Sequence, residues 1–123
     1  MDEPAIRTLA MPRDANPAGD IFGGWLMAQM DLAGSVVATR HAGGRCATVC
    51  VDAMEFKRPV HVGDEVSLYG ALTAVGRTSM TIRVEAWRRD RDGAARERVT
   101  EGMFVYVALD PLGKPRPVSP MRG

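Results

Sequence analysis

The chain has 123 residues, of which 46% are hydrophobic and 25% charged, with a formal net charge of +1. That length holds one domain around one core, expected to span 1–123, and the near-neutral charge excludes the strongly basic footprint of a nucleic-acid-binding protein. The opening MDEPAIRTLAMPRD lacks the basic-then-apolar pattern of a signal peptide, so the expected location is cytoplasmic.

In chain order, residues 5–11 (AIRTLAM) predict a short first strand, followed by a loop punctuated by Pro12, Asn16, Pro17 and Gly19. The stretch Gly19 to His41 organises the rest. Nineteen residues lie between Asp20 and Arg40, and only Asp31 among them is charged. Apolar side chains fall on every face of a 3.6-residue wheel, which predicts a helix buried all round. Asp20 is the expected N-cap, Arg40 and His41 sit at the negative end of the dipole, and Gly43-Gly44 ends the helix. A membrane span has the right length. However, Asp31 at mid-bilayer costs about 3 kcal/mol, and Gln29, Ser35 and Thr39 add to the penalty, so no membrane insertion is expected.

Strands follow one another after the helix. Residues 46–57 are rich in β-branched and apolar types. Cys46 and Cys50 lie within them, about 13 Å apart if extended. That is too far for a disulfide, and no zinc spacing is present, so both are expected as reduced core residues. Residues 65–75 place Val66, Leu68, Leu72 and Ala74 on one face; residues 78–88 turn Met80, Ile82, Val84 and Ala86 inward. The run RRDRDGAARER (88–98), with its Asp92-Gly93 turn, reads as a solvated hairpin. The last strand, 99–109, has Met103, Val105, Val107 and Leu109 on one side. The Pro- and Gly-rich end from about 111 to 123 reads as a flexible tail. The prediction is an α+β domain with one antiparallel sheet curled around one long helix, whose remaining side needs a loop or a second subunit.

Several motifs then carry a resemblance. RTLAMPRDANPAGDIFGGWLMAQMD (Arg7–Asp31), MEFKRPVHVGDEV (Met54–Val66), GRTSM (Gly76–Met80) and VTEGMFVYVALD (Val99–Asp110) closely resemble YciA-like bacterial acyl-CoA thioesterases of the hotdog fold. The resemblance covers residues 6 to 118. It implies hydrolysis of acyl-CoA thioesters to free acid and coenzyme A, with no metal or other cofactor. It also implies a homodimer with shared active sites, assembled into a hexamer as a trimer of dimers.

The candidate residues have a physical case of their own. A lone carboxylate in an apolar helix must be paired, hydrogen-bonded or used; Asp31 is either a structural pin or the acid acting on the thioester, as general base or as nucleophile. The resemblance favours the catalytic role. Gly23 and Gly24 leave bare amides at the positive end of the helix, suited to the oxygen that gains charge in the transition state. Asn16 is an Asx-turn former, and the resemblance implies that it works with Asp31 of the opposite subunit. Ser35, one turn beyond Asp31, is placed to bond its carboxylate. Lys57, Arg58, Arg77, Thr78 and Ser79 are the groups suited to coenzyme A phosphates, with Lys114 and Arg116 as further cations. Met27, Met30 and Met54 are expected to line an adaptable acyl pocket. His41 and His61 are isolated. A hotdog dehydratase or hydratase would need a histidine beside the acid, whereas a non-catalytic acyl-CoA sensor would need no Asp31.

Overall fold

The structure, a computed structural model, describes residues 3–93 and 95–121. Met1, Asp2, Ala94, Arg122 and Gly123 lie outside that range, and with them parts of the N-terminal, hairpin and tail readings. The alternating segments form five strands: β1 (Ile6–Leu9), β2 (Cys46–Asp52), β3 (Glu65–Val75), β4 (Ser79–Arg89) and β5 (Arg96–Ala108). They make one antiparallel sheet in the order β1-β3-β4-β5-β2. The helix α1 (Gly23–Ala42) lies across its concave face. This is the predicted hotdog architecture. At 20 residues, α1 is about 30 Å long, enough to span the curled sheet.

Period-two alternation places the core. Met80, Ile82, Val84 and Ala86 of β4 are fully buried, as are Phe104 and Ala108 of β5 and Val66 and Leu68 of β3. Leu26, Met30, Ala33 and Ala38 of α1 meet them. On β5 the face turned to the helix is Gly102, Phe104, Tyr106 and Ala108, while Met103, Val105 and Val107 are half-buried on the outer face. β2 ends at Asp52, short of the expected 57. The chain then follows β5 through single bonds, such as Lys57 N–H to the Val99 carbonyl at 3.0 Å.

Four expectations need correction. α1 is not buried all round: it buries Leu26, Met30, Ala33, Gly34 and Ala38 but exposes Gly24, Met27, Ala28 and Leu32. One sheet covers one side, and the opposite side, also apolar, is left open by this chain. Asp20 does not cap α1. The N-cap is Phe22, with no side-chain bond, and Asp20 instead bridges to the backbone of His61. Cys50 is exposed rather than in the core, because β2 is an edge strand of the sheet. In place of a flexible tail, residues 109–119 are tied to the body. Arg116 Nη2 donates to the Ala42 carbonyl (2.9 Å), His41 Nε2 to the Ser119 carbonyl (2.8 Å) and Val118 N–H to the Arg77 carbonyl (3.0 Å). A guanidinium on the last carbonyls also suits the negative end of the dipole. Gly43 ends α1 as expected, in the left-handed region at φ 70°.

No helix among the described residues is long and apolar enough to cross a membrane. The end of the sheet nearest the helix start is knotted by charge. Asp64, 4% exposed, accepts from the His61 N–H (2.9 Å) and from Arg88 Nε (2.7 Å), and Arg88 Nη1 donates to Glu97 (2.6 Å). Three segments thus meet on one guanidinium. Asp64→Ala leaves that buried cation short of a partner and is expected to cost about 3 kcal/mol, read as a lower urea midpoint.

Candidate active site

Asp31 lies in the middle of α1, half-buried rather than enclosed. Its Oδ1 accepts from Thr48 Oγ1 (2.7 Å) on β2 and from the Tyr106 hydroxyl (3.0 Å) on β5. The same hydroxyl bonds the Asp31 main-chain carbonyl at 2.8 Å. Oδ2 takes no hydrogen bond among the described residues. One carboxylate oxygen is anchored and the other is free of protein bonds among the described residues. Ser35 does not join in, because its hydroxyl donates to the Leu32 carbonyl at 2.7 Å, the local bond typical of serine within a helix.

Gly23 and Gly24 form the first turn of α1 with no side chain capping them. A Cβ on Gly24 would meet nothing within 4 Å, and one on Gly23 would touch only the Phe56 ring, at 3.5 Å. Neither amide donates a hydrogen bond among the described residues. Beside them is a cleft of about 290 Å³ lined by Ile21, Phe22, Gly23, Leu26, Phe56 and Arg58, together with Pro59 and Val60. Met27, Met30 and Met54 do not line it. Met30 is in the core, Met27 is exposed, and Met54 packs half-buried over Gly102.

Asn16 anchors the loop before the helix. Its Oδ1 accepts from Ala18 N–H (2.9 Å) and Asp20 N–H (3.1 Å), an Asx-turn, while its amide nitrogen donates to nothing among the described residues. The coenzyme A candidates fall into two separate groups. Lys57 and Arg58 are exposed near the start of β5, and Arg58 Nε lies 3.6 Å from Glu97. Arg77, Thr78 and Ser79 form the β3–β4 turn, bonded to Ala108 at the far end of β5. The nine residue steps from Val99 to Ala108 span about 30 Å, so one chain does not gather both groups into one patch. Arg116 is engaged at the helix end. His41 and His61 are engaged with Ser119 and Asp20, away from Asp31. Among the described residues, no three His, Cys, Asp or Glu side chains gather as for a metal.

Thr48, Tyr106 and Phe56 carry no signal as site residues in the sequence, where each reads as an ordinary strand former. Gly34 carried one: a mid-helix glycine costs about 1 kcal/mol relative to alanine, so its presence asks for a reason.

Residues 18–95, from the loop ahead of α1 into the residues just before β5, match the family model described as the thioesterase superfamily. The chain belongs to that superfamily. Among its relatives, the acyl-CoA thioester hydrolase YciA of Salmonella typhimurium is 49% identical over 124 residues, covering 98% of this chain and 92% of that protein. Among solved structures, a hexameric thioesterase of Yersinia pestis is 50% identical with TM-score 0.92, covering 97% of each chain. The aspartate-to-alanine mutant of HI0827, a hexameric broad-specificity acyl-coenzyme A thioesterase, is 44% identical with TM-score 0.90, covering 94% of this chain and 86% of that one.

Asn16 separates its two roles by substitution. Asn16→Ala removes the turn acceptor and is expected to lower stability by about 1 kcal/mol. Asn16→Asp keeps the acceptor and the thermal midpoint but loses the amide donor, so a fall in kcat with unchanged stability assigns that donor to the reaction.

Proposed function

We propose that the chain is an acyl-CoA thioesterase, converting an acyl-CoA and water to a free carboxylic acid and coenzyme A, with Asp31 acting on the thioester. The observation that carries this reading is the carboxylate of Asp31, held by Oδ1 with Oδ2 free, in a member of the thioesterase superfamily. As general base, Oδ2 takes a proton from water as the water oxygen attacks the carbonyl carbon. The C–S bond then breaks, and the thiolate recovers the proton. As nucleophile, Oδ2 attacks the carbonyl itself and expels the thiolate, and water hydrolyses the resulting anhydride. A single turnover in oxygen-labelled water tests the second route, since label in the Asp31 carboxylate arises only when water attacks the Asp31 side of that anhydride. In both, the Gly23 and Gly24 amides stabilise the carbonyl oxygen as it gains charge.

The site is completed between two copies. Gly24 and Asp31 are seven residues apart, about 10 Å along the helix axis. Within this chain the Asp31 carboxylate is tied to Thr48 and Tyr106 on the sheet, not extended along the helix toward Gly24. The amides of one copy therefore serve the acid of another, with Asn16 donating across the same interface. The uncovered apolar side of α1 and the exposed edge of β2, where Val49 is 58% exposed, supply the contact, and a trimer of such dimers agrees with the hexameric solved relatives. Lys57 and Arg58, beside the cleft, hold coenzyme A phosphates from one chain, and Arg77, Thr78 and Ser79 from another. No cofactor is needed.

Asp31→Asn keeps the shape and is expected to lower kcat at least a thousandfold on a panel of acyl-CoA substrates, measured by thiol release; full activity in the folded variant overturns the reading. Gly24→Ala is expected to leave the thermal midpoint unchanged, because space for its methyl group exists, yet to lower kcat/KM about tenfold or more by obstructing the amides.

A further inference from the structure

We propose that Tyr106 is a positioning residue: seated in a gap that only Gly34 provides, its hydroxyl holds Oδ1 of Asp31 and so selects Oδ2 as the oxygen presented to the substrate. The inference rests on the reading of Asp31 as the acting acid.

The geometry is specific. Tyr106 is 1% exposed, and a buried phenol needs a partner for its hydroxyl. It finds both the main chain and the side chain of the same residue, at 2.8 and 3.0 Å. A donor shared between those two oxygens fixes the side-chain rotation of Asp31 relative to its own backbone. That is a tighter constraint than a bond to the carboxylate alone. Gly34, three residues on and on the same helical face, makes room. A Cβ there would lie 2.2 Å from the Tyr106 hydroxyl oxygen and 2.9 Å from Cζ, so any other residue evicts the hydroxyl. The ring is steadied by Phe104, with centroids 6.5 Å apart and planes 16° off parallel. Burial, and then the bond to Asp31, push the Tyr106 phenol well above its ordinary range, which keeps it a donor throughout the working pH range. Thr48 supplies the second, uncharged donor.

Tyr106→Phe removes the hydroxyl and keeps the ring. The expected result is a fall in kcat of about threefold to tenfold with KM within about twofold. Gly34→Ala, which displaces the hydroxyl, should reproduce the kinetic effect and add little to it in the Tyr106→Phe background, a non-additivity that a double-mutant cycle reads. Wild-type kcat in folded Tyr106→Phe, with Asp31→Asn inactive, overturns this inference and leaves the function standing. Full activity in Asp31→Asn overturns both. Should Tyr106→Phe fail to fold, the magnetic resonance of isotope-labelled tyrosine Cζ decides: the Tyr106 signal shifts on Asp31→Ala if the bond exists in solution, and a fixed signal overturns the inference.

Discussion

The contact between α1 and the concave face of the sheet governs everything else in the chain. The sheet can curl only because a helix fills its hollow, and the helix can approach only where side chains are small. Gly34 on α1 faces Tyr106, and Gly70 on β3 faces Val37, with a Cβ at either position coming within 2.9 Å of its neighbour. Packing at native density leaves no slack for that overlap. The depth at which the helix sits then fixes the distance from Asp31 to β2 and β5, and with it the bonds that aim the carboxylate.

Much of this was legible beforehand, for reasons that can be traced residue by residue. β3 spans the same residues that its alternation predicted, and β4 differs by one, because an apolar face opposite polar neighbours has a single sensible orientation. Gly43 marked the helix end because few other residues accept its backbone angles. Asp31 stood out because a single charge in an apolar helix needs an explanation.

The failures are equally physical. A continuous apolar helix reads the same whether its second side meets its own chain or another, so the wheel did not reveal that Met27 and Leu32 lie outside this chain's core. Asp20 has the right chemistry and place for a cap, but the loop carries it to His61 instead. The amides that it would have filled take no side-chain cap. Thr48 and Tyr106 come to Asp31 from strands 17 and 75 residues away in sequence, a meeting that no local pattern encodes. The tail looked mobile from its prolines and glycines, yet Arg116 finds the helix terminus, where orphaned carbonyls attract any cation within reach.

The bare edge of β2 has a consequence for the life of the chain before assembly. An edge strand presents a row of unpaired amides and carbonyls, and natural proteins usually guard it with charge, proline or a cover. Cys46 to Val51 has none of these except a bulge at Val49; its first charge is Asp52. A freshly made copy is therefore a template for edge-to-edge addition until a correct partner arrives. High expression would favour aggregates seeded at that strand, so the bare edge makes a solitary copy hazardous.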